Sequence, residues 1–331
     1  MKVTVLGDGG WGTALALLLG RKGIGVELWG AFPGYVDEVR RSRRNRKFLP
    51  GIHLPDSIRV TSDINRALRG SSEVILAVPS QHVRAVCGKA APFRDKDCLV
   101  ISATKGLEME SGKRISEVIG EIWGPCRLAV ISGPSHAEEV ARGLPTTVVA
   151  ASRDHEAARR SQDLLMEERF RVYTNDDVIG VELGGAIKNV IAIAAGICDG
   201  LGFGDNTKAA LLTRGMVEIA RLGKAAGARP ETFWGLSGIG DLIATSISPY
   251  GRNLKLGRMI GEGLSLNEAL RSTDMVVEGV KTAAATYHLA AELDVEMPIT
   301  REIYLVLYEN KPPLVAVKDL MTREAKPEVS S

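Results

Sequence analysis

Two textures divide the chain. Short runs that are apolar throughout recur across the first half, at residues 2–6, 26–29, 73–78, 99–103, 128–132, 146–151 and 170–174, with helical stretches such as 13–21 between them. Strands buried on both faces read this way, so the first half is expected to be a doubly wound sheet of parallel strands. After about residue 175 helix-periodic segments take over and run to the end. The expected architecture is an α/β domain over residues 1–176, then a mostly α-helical domain over 177–331. A polar tail at 326–331 is expected to fray.

One helical segment breaks its own pattern. Residues 183–198, LGGAIKNVIAIAAGIC, are apolar around every face, which predicts a buried helix. Lys188 is the single charge in that run. A lysine inside a core helix needs a reason. Desolvation lowers its pKa, and a lowered pKa suits a general base near neutrality. The bland alternative is a lysine that snorkels to the surface or pairs with an acid.

Composition narrows the function class. Among 331 residues, 42 Lys and Arg stand against 40 Asp and Glu, a net charge of +2. That balance excludes a strongly basic nucleic-acid binder. Four cysteines without CxxC spacing and five scattered histidines argue against a metal site or a disulfide framework. No apolar run reaches the roughly 18 residues of a membrane span, and the N-terminus reads as a strand and a turn, not a signal peptide. The expectation is a reduced, cytoplasmic protein with no nucleic-acid partner and no stable membrane insertion. A basic run, Arg40, Arg41, Arg43, Arg44, Arg46 and Lys47, reads either as a solvated helix end or as a contact to a cofactor phosphate.

Candidate chemistry clusters at the ends of strands. Gly7-Asp8-Gly9-Gly10-Trp11-Gly12 fits GxGxxG through Gly7, Gly9 and Gly12. It follows the first strand and opens a helix, the placement a dinucleotide-binding loop requires. Gly7 permits the turn, Gly9 admits a pyrophosphate, and Gly12 lets helix and strand pack. The second strand ends at Ala31 without the acid that usually holds the NAD ribose, so NAD and NADP both stay open. Lys105 follows the fourth apolar run, where α/β ligands bind. Ser135 and Glu138 have capping-box spacing, which predicts a helix start there. Gly235-Leu236-Ser237-Gly238-Ile239-Gly240-Asp241 leads to one acid that could orient a lysine. Arg252 and Asn253 follow, and a guanidinium suits phosphate.

Together these residues resemble bacterial-type NAD(P)-dependent glycerol-3-phosphate dehydrogenase. The pieces are GDGGWGTALA, NRKFLPGI, ATKGLE, SGPSHAEEVARGLPT, GAIKNVIAIAAGICDGLGFGDNTKAAL, GLSGIGDL, GRN and VVEGVKT, spread from the first residue to about 317. The resemblance implies a Rossmann-like first domain and reversible hydride transfer between glycerol 3-phosphate and dihydroxyacetone phosphate. It makes Lys188 the catalytic base. It sets Lys105, Gly133, Ser135, Lys188, Asp241, Gly251, Arg252 and Asn253 around the substrate. It sets Gly10, Trp11, Ala31, Lys105, Ala137, Arg252, Val276 and Glu278 around the nucleotide, beside the loop glycines. It also implies a homodimer that feeds phospholipid synthesis. The family usually has Ser where this chain has Gly10 and Gly251, so two hydroxyl contacts are expected to be missing. The rival readings are a hydroxyacid-type dehydrogenase of similar layout and a non-enzymatic NAD-sensing module, which would have no use for Lys188.

Overall fold

The computed structural model describes residues 2–273, 275–325 and 327–328, so most of the tail at 326–331 lies outside the described residues. Eight strands form one sheet: β1 (Lys2–Leu6), β2 (Gly25–Trp29), β3 (Ile58–Thr61), β4 (Glu73–Leu76), β5 (Leu99–Ser102), β6 (Leu128–Ser132), β7 (Thr146–Ala151) and β8 (Phe170–Asn175). Their order is β3-β2-β1-β4-β5-β6-β7-β8. Helices α1 (Gly10–Arg21), α2 (Pro33–Ser42), α3 (Ile64–Leu68), α4 (Val83–Ala90), α5 (Ile115–Trp123), α6 (Ala137–Ala141) and α7 (His155–Leu165) lie between them. Alternation along each strand feeds two cores. Val3, Val5, Val26 and Leu28 pack with α1 on one face, and Leu6, Leu76 and Val100 pack with α4 and α5 on the other. Burial on both faces explains the continuous apolar runs.

The all-parallel expectation needs correction at β7. It runs antiparallel to β6, with Ile131 opposite Ala150, and carries β8 parallel to itself. The one helix between β6 and β7, α6, has five residues. It advances about 8 Å. Beta-7 has six residues and spans about 20 Å. A parallel return would need a longer crossover. Strand β3 was not expected at all, because four residues with Arg59 pointing outward give little signal.

The second half is helical: α8 (Val178–Gly200), α9 (Asp205–Ala225), α10 (Asp241–Ile247), α11 (Arg252–Gly261), α12 (Leu266–Arg271), α13 (Glu278–Glu292), α14 (Pro298–Tyr308) and α15 (Pro313–Met321). Helix α8 is its axis, and every residue from 180 to 198 is buried. By length and composition alone α8 could cross a membrane, contrary to the reading of short apolar runs, but 89% of its apolar window is buried inside the protein. Asp177 starts it by accepting from Gly180 N at 2.9 Å, and also takes Arg229 N and Thr232 Oγ1. Helices α8 and α11 touch backbone to backbone: a Cβ on Gly196 would run into Leu254 O, and one on Gly257 into Ile193 O. That contact fixes Lys188 and Arg252 relative to each other.

Candidate active site

The first loop separates its glycines by job. Gly7 has φ +120°, and a Cβ there would sit 2.7 Å from Ala77 O. A Cβ on Gly12 would strike Gly7 O, so both positions are closed by packing. A Cβ on Gly9 meets nothing within 4 Å. Gly9 is also the N-cap of α1 and supplies no side-chain cap. Open space over uncapped helix N–H groups suits a diphosphate. Trp11 braces the loop by donating Nε1–H to Ala103 O at 3.1 Å, just past β5. A Cβ on Gly10 would lie 2.7 Å from Phe48 O and 3.6 Å from the Ala137 Cβ, so a side chain here would require Phe48 to shift. Gly251 is similar, with Thr245 O 2.7 Å from a would-be Cβ. Ala31 is exposed beyond β2, where no acid stands.

Beyond β5 and β6 the structure draws four distant segments together. Lys105 Nζ donates to Gly133 O at 2.7 Å, to Ser135 Oγ at 3.2 Å and to Asp241 Oδ2 at 2.8 Å. Lys188 Nζ donates to the other oxygen, Asp241 Oδ1, at 2.9 Å, and to Thr245 Oγ1. One carboxylate thus bridges two ammonium groups. Lys188 is 6% exposed and Asp241 2%, so the lysine is paired and does not snorkel. Burial pulls the Lys188 pKa down to about 8, against the pull of Asp241. Burial would raise the Asp241 carboxyl, but Lys105 and Lys188 outweigh it and hold the pKa below the ordinary value. A lysine poised near 8 can both take and give a proton.

The expected capping box at Ser135 and Glu138 does not form. Helix α6 starts at Ala137, after His136, with no side-chain cap. The Ser135 hydroxyl is committed elsewhere: it accepts from Lys105 and donates to Gly133 O at 2.8 Å.

The helical half closes the site. Arg252, in the first turn of α11, is exposed and donates to Val276 O at 2.9 Å. Its charge adds to the lowering of the Lys188 pKa. Asn253 is buried, donates to Asn189 Oδ1 and accepts from Gly279 N, each at 2.9 Å. It ties α11 to α13 and to the residue beside Lys188. Glu278 accepts from Ser80 N at 3.0 Å and Ser80 Oγ at 2.5 Å, linking α13 to the loop after β4. Burial raises its pKa, which the Ser80 bonds and Arg252 oppose.

Sequence reasoning missed Thr245, His136 and Ser80. Thr245 was within reach, being one helical turn from Asp241 on α10. His136 Nε2 lies 3.3 Å from Ala244 O, and burial first, then the nearby lysines, lowers its pKa. Ser80 left no signal, because only folding brings it to Glu278. In the arginine run, Arg40 pairs with Asp37, and Arg43 donates to Leu54 O and Ile58 O. Arg44 and Arg46 remain exposed.

Two family models match, NAD-dependent glycerol-3-phosphate dehydrogenase N-terminus over residues 2–158 and C-terminus over 177–318. A glycerol-3-phosphate dehydrogenase [NAD(P)+] of Moorella thermoacetica is 53% identical, covering 99% of this chain and 98% of that one. Its counterpart in Chlorobium phaeobacteroides is 50% identical, covering 99% of both. The crystal structure of glycerol-3-phosphate dehydrogenase from Coxiella burnetii superposes with a TM-score of 0.95 at 39% identity, covering 97% of this chain and 99% of that one. This chain belongs to the NAD-dependent glycerol-3-phosphate dehydrogenase family. It is an NAD(P)-dependent oxidoreductase, which excludes the non-enzymatic reading.

Proposed function

We propose that the chain interconverts sn-glycerol 3-phosphate and dihydroxyacetone phosphate, with Lys188 as the acid–base. The observation that carries this is the Lys188–Asp241–Lys105 bridge beyond β5 and β6. A bound nicotinamide would accept or supply the hydride at C2. Neutral Lys188 takes the proton of the C2 hydroxyl as C2 becomes a carbonyl. In the other direction the ammonium gives that proton back and stabilises the alkoxide. Asp241 positions both lysines. Lys105 and Ser135 orient the triose, and Arg252 with Asn253 binds its phosphate. The loop from Gly7 to Gly12, Ala31, Ala137, Val276 and Glu278 line the nucleotide.

We read residues 1–176 as the nucleotide unit and 177–331 as the catalytic unit, joined at this site. The same reading extends to a cytoplasmic homodimer that supplies glycerol 3-phosphate for phospholipids. The test is to offer dihydroxyacetone phosphate, and separately 2-oxo acids, with NADH and NADPH. Oxidation of either nucleotide with dihydroxyacetone phosphate is expected. Turnover of a 2-oxo acid alone would replace this reading with the hydroxyacid type.

A further inference from the structure

The first loop holds a charge that the reaction does not use. Asp8 lies between Gly7 and Gly9, only 7% exposed. Its Oδ2 is sealed from water and has no hydrogen-bond partner among the described residues. No cation is among the groups that act on it. Its carboxylate reaches the end of β2: a Cβ on Gly30 would overlap Oδ2. Its own carbonyl is satisfied, accepting Asn45 Nδ2 at 2.7 Å. An ionised side chain buried with no donor beyond its own backbone N–H is costly and needs an explanation.

The end of β2 is also where a dinucleotide fold places an acid, to accept from the hydroxyls of the adenosine ribose. In this chain that position passes from Trp29 through Gly30 to Ala31 with no acid. We propose that Asp8, whose carboxylate lies against the end of β2, supplies the missing acid, turning out from its packed position to accept from the adenosine ribose 2′-hydroxyl and to disfavour a 2′-phosphate. Gly30 belongs to the same device, since any side chain there would displace the carboxylate. Burial raises the Asp8 pKa to about 6, which still leaves it mostly ionised at neutral pH. Tyr35 on α2 is the titratable neighbour that feels it, and its hydroxyl already donates to Asn45 Oδ1 at 2.6 Å. The basic run that would attract a 2′-phosphate is partly committed, Arg43 to backbone carbonyls and Arg40 to Asp37.

This inference rests on the nucleotide site assigned above, and the experiment separates the two. NADH and NADPH are titrated into the free protein by fluorescence, for wild type, Asp8→Asn and Asp8→Ala, with thermal melts confirming that each variant is folded. Wild type is expected to bind NADH more tightly. Both variants should move the NADH-to-NADPH affinity ratio toward NADPH by about tenfold or more, the scale of one hydrogen bond to a charged group. Tighter binding of NADPH by wild type, or an unchanged ratio in a folded variant, overturns the role of Asp8. Failure of wild type to bind either nucleotide overturns the site itself.

Discussion

Asp8 and Asp241 are the same residue type, each more than nine-tenths buried, and burial pushes both carboxyls up. They end on opposite sides of the ordinary value. Asp241 has an ammonium on each oxygen and falls below it, while Asp8 has no donor on Oδ2 and rises to about 6. The protein has completed one site internally and left the other to a ligand. Around Asp241 the field is cationic, from Lys105, Lys188 and Arg252, and suits a phosphorylated substrate. Around Asp8 it is anionic, and suits a ribose with free hydroxyls. Two ends of one ligand path thus sort phosphates by position.

The sharpest test of the cationic end is Lys188→Ala. If acid–base chemistry is its main role, kcat should fall by roughly 10²–10⁴. NADH affinity, measured by titration, should change little, because the first loop is untouched. A folded variant with near wild-type turnover would leave Asp241 holding Lys188 for structure alone.

The same substitution at the two acids should move stability in opposite directions. Asp241→Asn leaves the buried Lys188 and the part-buried Lys105 without their carboxylate and should cost about 3–5 kcal/mol. Asp8→Asn should raise the stability of the nucleotide-free protein. Its carboxyl is shifted from 3.8 to about 6, a penalty of up to about 3 kcal/mol that is complete above pH 6. A raised acid binds its proton more tightly when folded, so the penalty fades as pH falls from 6 toward 4. The amide must also be housed, which makes that figure a ceiling. Urea melts at pH 8 and pH 4.5 would check both signs, and a loss at both positions would erase the contrast.

Arg252→Lys probes how specifically the cationic end reads phosphate. The lysine keeps the charge but cannot copy the two-pronged guanidinium contact. A drop of about 10- to 150-fold in kcat/KM is expected with dihydroxyacetone phosphate. With unphosphorylated dihydroxyacetone the difference should be much smaller. Arg252 also donates to Val276 O near the nucleotide side. An equal loss for both substrates, matched by weaker nucleotide binding, would assign Arg252 to the cofactor.

The contrast also marks how far the sequence could be read. Lys188 was visible because a lone charge on an all-apolar helix is a conflict within one element. The bridge to Asp241 was suggested by a glycine-rich approach to one acid. That the carboxylate also holds Lys105 needed the fold, since the residues are 136 positions apart. The sheet was legible from runs buried on both faces, and the reversal at β7 was not, because it depends on how far α6 can carry the chain. Asp8 passed unremarked inside a glycine motif. Its spacing gave no reason to look at it, and only its packing against Gly30 does.

The smallest expected effect concerns Thr245. Its hydroxyl accepts from Lys188 Nζ and lies 3.4 Å from Asp241 Oδ1. Thr245→Val keeps the shape nearly unchanged and removes the acceptor. The ammonium form of Lys188 then loses a hydrogen bond while the neutral form loses less, so the pKa should fall further below about 8. A net hydrogen bond of roughly 0.5–1.5 kcal/mol corresponds to at most about one pH unit. Oxidation of glycerol 3-phosphate needs neutral Lys188, so its rate should rise with pH through that pKa. The variant's profile should therefore shift to lower pH. Reduction of dihydroxyacetone phosphate needs the ammonium, so its falling limb should shift the same way. Profiles of kcat in both directions, on wild type and variant, measure the displacement. Matching shifts in both would place Thr245 in tuning Lys188, whereas a uniform loss of rate with no shift would leave it a packing residue beside Asp241.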